Sequence, residues 1–320
     1  MARQYTMPVQ SKEPDVVVAE DTGFKKFMKA HWKIFPIVLV AGTVISATAF
    51  GIIRMQERNE DAVITKTWDG VKDIANDVTT DSDITLERGQ MYSSDPMNRL
   101  INWDGVLEID PNIKCWIYIP DASVDYPVAQ PAKWSDNQYY LSHDVYGKNS
   151  SAGTIYMPAE IEGFEDTDMH QIIIGHNMRN GSMFSNLTKY KDKGFWEATP
   201  YIYLYYPDRT EKWLIYSPYH TTQADAIYNM PYEAGTALYK DLLSQVEANK
   251  AYDTATNGPT VNSPLLTLTT CDRTSTEGAD GRFVVNAKLV DTVVLKSDES
   301  ASDEVAVNDT QSQDMPDMAE

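Results

Sequence analysis

Residues 265–288 read LLTLTTCDRTSTEGADGRFVVNAK, and this pattern sets the class of fold. Both ends are apolar and rich in β-branched residues, whereas the middle is polar and turn-forming, which is typical of two β-strands and their connection. Strands joined by a loop of about ten residues are usually neighbours in a sheet. We therefore expect Cys271, at the end of the first strand, and Arg282, at the start of the second, to lie on adjacent strands.

The same texture extends over residues 96–296, where short β-like runs alternate with turn residues. With no regular helical crossovers between them, these runs favour an antiparallel barrel or sandwich. Two helices are expected near Met97–Leu107 and Ala234–Asn249. The predicted strands are Cys115–Ile119, Tyr126–Ala129, Thr154–Met157, Ile172–Gly175, Tyr201–Tyr206, Lys212–Tyr219, Leu265–Thr270, Phe283–Lys288 and Asp291–Leu295.

Residues 34–53 form a run of 20 positions without a charge, IFPIVLVAGTVISATAFGII. At about 1.5 Å per residue, such a helix covers the hydrocarbon thickness of a bilayer. A cleaved signal peptide is less consistent with the run, because a long polar segment precedes it. We predict one transmembrane helix here.

The flanking charges predict the orientation of that helix. Lysines crowd its N-terminal side, whereas arginines on the other side are mixed with acidic residues. The positive-inside rule then places residues 1–33 in the cytoplasm and the rest outside the cell. Residues 54–95 are interpreted as a stalk with an amphipathic helix, in which Ile64, Trp68, Val71, Ile74 and Val78 recur at helical spacing. Whether that helix packs on the following domain is left open by the sequence.

Charge and cysteine content exclude some functions. The chain has 27 basic and 47 acidic residues, so a nucleic-acid partner is not expected. Its last segment, residues 297–320, has eight acidic residues and no basic ones, and is expected to be a disordered tail. Two cysteines, Cys115 and Cys271, can form one bridge at most.

The thiol of Cys271 has the placement of a nucleophile. A cysteine at a strand end is held by the sheet and remains reachable from solvent. Arg282 on the neighbouring strand could stabilise an oxyanion, since a guanidinium keeps its charge. Arg273 is a rival for this role, although it lies in the loop. Cys115, in the apolar run KCWIYIP, is interpreted as a core residue.

A general acid and base is offered by His176. It follows an apolar strand in QIIIGHNMRNGSMF, residues 171–184, within a loop rich in Gly and Asn. An imidazole with an ordinary pKa near 6.5 exchanges protons at neutral pH. His143 is a second, weaker option. The sequence does not show whether either lies near Cys271.

Three motifs resemble the sortase family, and class B sortases in particular. They are TLTTC (267–271), GRFVVNAKLV (281–290) and IIIGHNMRNGSMF (172–184), which occur in the order of the family. The resemblance covers about residues 96–296 and also includes WIYIPDASVDYPVAQ (116–130), DNQYYLSHD (136–144) and YIYLYYPD (201–208). It implies an eight-stranded β-barrel with a few peripheral helices. Asn286 departs from the pattern, because relatives often have His there.

The resemblance also implies the roles of individual residues. Cys271 would be the nucleophile, His176 the proton donor and acceptor, and Arg282 the ligand of the oxyanion. Asn137, Leu141 and Thr269 match positions that line the substrate groove. No cofactor or metal is implied.

The implied reaction is transpeptidation at the surface of a Gram-positive cell. The enzyme would cleave secreted proteins after the Thr of an LPxTG-like or NPxTx-like sorting motif and join the new carboxyl group to an amine of a lipid-linked peptidoglycan precursor. Two alternatives stay open: a secreted cysteine endopeptidase that only hydrolyses, and a membrane-tethered adhesin without enzymatic activity.

Overall fold

The computed structural model describes residues 27, 29–31, 35–77, 95–161, 168–229 and 231–295. The chain divides into two compact units, one ending at Glu60 and the other beginning at Asp61. Most of the predicted cytoplasmic segment 1–33 and the whole predicted tail 297–320 lie outside the described residues. Both therefore stay predictions.

Four α-helices and eight β-strands make up the regular structure of the described residues. The helices are α1 (Phe35–Ala75), α2 (Trp103–Ile109), α3 (Lys193–Ala198) and α4 (Ala237–Ala248). The strands are β1 (Ile113–Ile119), β2 (Val124–Ala129), β3 (Ile155–Tyr156), β4 (His170–Ile174), β5 (Tyr201–Tyr205), β6 (Arg209–Thr222), β7 (Leu265–Cys271) and β8 (Gly281–Val294). Short 3₁₀ helices cover Pro96–Asn98, Trp134–Asp136, Tyr139–Leu141, Ser185–Lys191, Ala226–Tyr228 and Gly278–Asp280.

The first part of α1 contains the apolar run that the sequence predicts to cross a membrane. No helix in the part of the chain that the structure describes combines the length and the apolar character that a bilayer crossing requires. The predicted span at 34–53 is therefore not confirmed and stays a prediction.

The last part of α1, from Asp61 to Ala75, packs on the second unit. Ile64, Trp68 and Val71 belong to the predicted apolar face, and all three are buried in the main hydrophobic core. The Trp68 ring meets the Tyr126 ring edge-on, with centroids 5.6 Å apart. This contact answers the question that the sequence left open, because the helix lies on the barrel in this unit.

The eight strands form a closed barrel in the order β1-β2-β3-β4-β7-β8-β6-β5. This confirms the predicted eight-stranded β-barrel with few helices. The expectation of a wholly antiparallel sheet was wrong, because β2 pairs with β3 and β4 pairs with β7 in parallel. Parallel neighbours need a long connection. The chain supplies one between β2 and β3, and inserts α3, β5, β6 and α4 between β4 and β7.

In two places the structure divides the chain into elements differently from the prediction. The two strands expected at Phe283–Lys288 and Asp291–Leu295 are one continuous strand, β8, which pairs along its length with the equally long β6. The helix expected at Met97–Leu107 is divided into the 3₁₀ helix Pro96–Asn98 and α2. Asn102 ends any continuous helix because its side chain caps α2, accepting a hydrogen bond from Gly105 N at 3.0 Å.

Candidate active site

Three adjacent strands bring the predicted chemical groups to the same end of the barrel. In the parallel pair β4–β7, Ile174 lies opposite Thr269, and His176 and Cys271 each follow two residues later. In the antiparallel pair β7–β8, Cys271 and Arg282 lie on adjacent strands, as the sequence predicts, and directly opposite each other. The strand register therefore places the imidazole, the thiol and the guanidinium at one edge.

The loop that carries His176 is fastened to β7 as it leaves β4. Gly175 N donates to Thr269 O at 3.1 Å, and the Thr270 hydroxyl donates to Gly175 O at 2.8 Å. A side chain at position 175 would meet the Phe184 ring at 2.7 Å, so only glycine fits there. Asn177 Nδ2 then donates to the backbone carbonyl of Cys271 at 2.7 Å. These contacts hold the histidine loop beside the cysteine.

The thiol lies at an open cavity of about 440 Å³. Cys271 is half-buried, so its sulfur is not sealed inside the barrel. The cavity also takes in His176 and Arg282, so all three predicted groups share it. Its lining consists of Leu141, Tyr156, Ile174, Gly175, His176, Gln223, Tyr228, Thr269, Thr270, Cys271 and Arg282.

A hydrogen bond assigns the proton on the His176 ring. Nε2 lies 2.8 Å from the backbone oxygen of Leu141. Because a carbonyl oxygen can only accept, Nε2 is the donor, and in the neutral ring Nδ1 carries the lone pair. The imidazole can therefore accept a proton at Nδ1 while its orientation is held by Leu141.

Arg282 is held by the turn that precedes it. Its Nη1 atom donates to Ala279 O at 2.8 Å and to Gly281 O at 2.9 Å. Arg273, the rival cation, is exposed and does not line the cavity. The geometry therefore favours Arg282 as the positive charge beside the thiol.

Two of the three predicted groove residues line the cavity. Leu141 contributes a wall and the carbonyl that binds His176. Thr269 is 2% exposed, and its hydroxyl lies 2.7 Å from the Tyr228 hydroxyl. Burial raises the pKa of Tyr228, while the Thr269 hydrogen bond and the charge of Arg282 act in the opposite direction. Both phenol and alcohol are therefore neutral hydrogen-bonding groups in the cavity wall.

Asn137 is placed differently. It does not line the cavity, and its side chain connects two loops by accepting from Ala159 N at 2.8 Å and donating to Glu160 Oε2 at 2.7 Å. Its neighbours Asp136 and Tyr139 line a separate cavity of about 400 Å³. A role of Asn137 in substrate binding stays a prediction.

The other cysteine and the second candidate histidine lie away from the cavity. Cys115 is fully buried, and burial raises the pKa of its thiol well above the usual range. Both cysteines are free. His143 stacks on the Tyr139 ring, and its Nδ1 atom donates to Tyr139 O at 2.9 Å. Within the described residues, no group of three or more His, Cys, Asp or Glu side chains has the arrangement of a metal site.

Sequence reasoning missed Asn177 and Tyr228 as site residues. Asn177 follows His176 directly, but its contact with Cys271 depends on the parallel pairing of β4 and β7. Tyr228 lies in a 3₁₀ turn whose first residues are capped by Asp225, which accepts from Ile227 N. The sequence Asp225–Tyr228 signals such a capped turn, but nothing in it indicates that the turn reaches β7.

Comparisons with known proteins agree with this architecture. A model of the sortase domain family matches residues 117–290. Sortase B of Listeria monocytogenes is 35% identical over 176 residues, covering 55% of this chain and 68% of that protein. Sortase B of Staphylococcus aureus is 26% identical over 188 residues, covering 59% of this chain and 74% of that protein.

Solved structures give the same answer. Sortase B of Clostridium perfringens superimposes with a TM-score of 0.53 at 27% identity, covering 59% of this chain and 100% of that one. Sortase B of Listeria monocytogenes has a TM-score of 0.50 at 30% identity, covering 57% and 98%. Since the family match spans more than half of the chain and these relatives are all class B enzymes, the chain belongs to the sortase family as a class B sortase, a cysteine transpeptidase.

Proposed function

We propose that this protein is anchored in the cell membrane and joins secreted proteins to the cell wall through a thioester on Cys271. The observation that carries the proposal is the shared cavity, in which a half-buried thiol, an imidazole and a guanidinium come from three adjacent strand ends. Cys271 is the nucleophile, His176 moves protons and Arg282 stabilises negative charge on the substrate oxygen.

In the first half of the reaction, His176 Nδ1 takes the proton of the Cys271 thiol, and the sulfur attacks the carbonyl carbon of the Thr in the sorting motif. The carbonyl oxygen becomes an oxyanion, and the Arg282 guanidinium stabilises it. When the peptide C–N bond breaks, His176 donates a proton to the leaving amine. The N-terminal part of the substrate is left as a thioester on Cys271.

In the second half, an amine attacks the thioester carbon. His176 removes the proton of the amine through Nδ1, while Leu141 O keeps Nε2 in place. Collapse of the second oxyanion breaks the C–S bond and releases the Cys271 thiolate with a new amide bond. The acceptor is the amine of a lipid-linked peptidoglycan precursor, and the donor carries an LPxTG-like or NPxTx-like motif.

The groove wall is expected to recognise the sorting motif. Leu141, Ile174 and Tyr156 offer apolar surface, and the Thr269–Tyr228 hydroxyl pair offers hydrogen bonds. A neutral, mixed wall of this kind suits an extended peptide with a small hydroxyl residue next to the scissile bond.

Membrane attachment through residues 34–53 rests on the sequence. The run has no charge, and residues from Phe35 onward are helical. A tether at the outer face would concentrate the enzyme where secreted proteins and lipid-linked precursors meet. Carbonate extraction of cell membranes should leave the full chain in the pellet, and added protease should digest the catalytic domain in intact protoplasts. Release by carbonate would contradict the anchor.

The transfer reaction is tested with the full chain in detergent, LPxTG-like and NPxTx-like peptides, and either triglycine or diaminopimelate. Mass spectrometry should detect an acyl adduct on Cys271 and a peptide joined to the amine. Cys271→Ala is the control and should give neither. Cleavage without amine ligation would favour the endopeptidase alternative, and no cleavage of any peptide would favour a non-enzymatic role.

A further inference from the structure

A buried carboxylate directly follows the proposed nucleophile. Asp272 is 2% exposed, and its Oδ2 atom accepts from Lys191 Nζ at 2.7 Å and from His220 Nδ1 at 2.9 Å. Burial alone raises the pKa of a carboxyl group, but hydrogen bonds from Lys191, Thr274 and His220 outweigh it and lower the pKa of Asp272 to about 2. The side chain is therefore an anion at any working pH.

The other oxygen of this carboxylate folds the β7–β8 loop. Oδ1 accepts from Thr274 N at 3.0 Å and from the Thr274 hydroxyl at 2.8 Å. Ser275 N donates to Asp272 O at 3.2 Å. The hydrogen bonds of Asp272 thus determine the turn at the start of this loop.

His220 ties the same loop to β6. Its Nδ1 atom binds Asp272, and its Nε2 atom lies 3.0 Å from Ser275 Oγ. The order Ser275–His220–Asp272 matches the hydrogen bonds of a serine hydrolase triad. However, Ser275 Oγ also accepts from Glu277 N at 2.9 Å, and Ser275 does not line the Cys271 cavity. These contacts fasten the loop rather than present a second nucleophile.

The far end of this loop holds Arg282. The guanidinium is bound to Ala279 O and Gly281 O, and Gly281 O also accepts from Asp272 N at 3.0 Å. The Gly281 carbonyl therefore accepts hydrogen bonds from both the Asp272 backbone N–H and the Arg282 guanidinium. Of the two oxygens that orient Arg282, Ala279 O therefore belongs to the loop that Asp272 folds, and Gly281 O is bonded directly to Asp272 N.

We propose that Asp272 is a positioning residue of the transfer reaction. Its carboxylate, bound by Lys191, His220 and Thr274, folds the β7–β8 loop and so holds the Arg282 guanidinium beside Cys271 in the shared cavity. The proposal rests on the proposed roles of Cys271 and Arg282. Asp272 does not line the cavity, so it acts through Arg282 and does not touch the substrate. A shift of about 1 Å in such a group lowers the rate by roughly a hundredfold.

The first test is Asp272→Asn in the full chain, with acylation of Cys271 by a sorting-motif peptide measured by mass spectrometry. Asparagine keeps an acceptor for Thr274 but turns an amide towards Lys191 and His220. We expect kcat/KM to fall roughly thirtyfold. Glu277→Gln removes one exposed charge from the same loop and is the matched control, with a change below about twofold.

A double-mutant cycle separates positioning from a general loss of structure. In an Arg282→Lys background, Asp272→Asn should lower kcat/KM by less than about threefold. The reason is that Asp272 acts by positioning the Arg282 guanidinium, which this background lacks. An equal loss in both backgrounds overturns the proposal. Lys191→Met, which leaves His220 on the carboxylate, should show the same non-additivity with a smaller loss and keeps the test valid if Asp272→Asn does not fold.

A crystal structure of the Asp272→Asn protein tests the same point without activity. Arg282 Nη1 should leave hydrogen-bond range of Ala279 O, and an unmoved guanidinium overturns the proposal. If the unmodified protein forms no acyl adduct, the proposed function fails, whereas this structure still decides the positioning role.

Discussion

Asn177 Nδ2 donates to the backbone carbonyl of Cys271 at 2.7 Å, so the residue after the imidazole is bonded directly to the residue that carries the thiol. The two positions are 94 residues apart in the chain. This contact, together with Gly175 N to Thr269 O, fixes the distance between the histidine loop and β7. The relative position of His176 and Cys271 therefore depends on a side-chain amide that takes no part in the chemistry.

Asn177→Ala should lower activity more than stability. The replacement removes one hydrogen bond of about 1 kcal/mol and frees the loop to move the imidazole away from the thiol. We expect kcat/KM for acylation to fall about tenfold or more, with the melting temperature lowered by a few degrees at most. Arg179→Ala, exposed in the same loop, is the control and should keep normal rates. Equal rates for Asn177→Ala and the unmodified protein would show that the amide is not needed.

Separate alanine substitutions of the two candidate cations, Arg282 and Arg273, distinguish their roles. Arg282→Ala should reduce the acylation rate by about a hundredfold to a thousandfold, which is typical for the loss of a group that stabilises an oxyanion. Arg273→Ala should change it by less than about twofold, since an exposed side chain outside the cavity contributes little. The reverse order of effects would assign the positive charge to Arg273.

The two thiols should separate chemistry from packing. Cys271→Ala should abolish acyl-adduct formation with an unchanged melting temperature, because the side chain is half-buried and partly solvated. Cys115→Ala should keep the chemistry and lower the free energy of unfolding by about 1 kcal/mol, since it leaves a small void in the core. Iodoacetamide should alkylate the native protein only at Cys271. Labelling of Cys115 without denaturant would contradict its burial.

Much of the site could be predicted from the sequence because its motifs lie at strand ends. The prediction that Cys271 and Arg282 lie on adjacent strands was correct, since only one loop separates β7 from β8. The approach of His176 could not be deduced from local pattern, because β4 and β7 pair in parallel across a long insertion. Only the family resemblance predicted that His176 and Cys271 act at the same site.

Tertiary packing explains the parts of the fold that the sequence did not predict. The continuity of β8 through Asp291 depends on its partner β6, which pairs along the whole strand and overrides the polar residue. Asn137 resembles a groove residue in sequence, yet its amide is bound by the loop at Ala159 and Glu160. In both cases the partner, β6 for Asp291 and the loop at Ala159 for Asn137, is distant in the chain.

Because His170 is buried, the free energy of unfolding should fall as the pH is lowered into the mildly acidic range. It is fully buried, its Nε2 atom lies 2.8 Å from the Thr267 hydroxyl, and burial lowers the pKa of its imidazole to about 3. In the unfolded chain the pKa is about 6.5. Between these values the unfolded state binds more protons, so stability is full above pH 6.5 and is lost as the pH falls.

This loss is measurable by urea unfolding. At pH 5, the His170 contribution should have fallen by about 2 kcal/mol relative to pH 7. His170→Gln should remove that difference and give a shallower pH dependence. Asp272, with a pKa lowered to about 2, contributes stability above an unfolded pKa of 3.8 and loses it only at lower pH. Parallel curves for the two proteins down to pH 5 would show that His170 does not titrate on unfolding.

Trp68→Ala should test whether the barrel and its active site need the last part of α1, residues 61–75. The indole is 3% exposed and packs against Tyr126, whose hydroxyl accepts from Met183 N at 3.2 Å in the histidine loop. Removing a buried indole costs about 3–5 kcal/mol of unfolding free energy. Because Tyr126 loses its neighbour, acylation of Cys271 should also slow.

Val63→Ala is the matched control, since Val63 is 65% exposed on the same helix and its truncation leaves no cavity. Urea unfolding of the two variants, with acylation rates measured well below both transitions, separates stability from loop position. If Trp68→Ala unfolded like Val63→Ala, the helix would be a tether that the barrel does not need. A large loss of stability with an unchanged acylation rate would show that the helix supports the core but not the His176 loop.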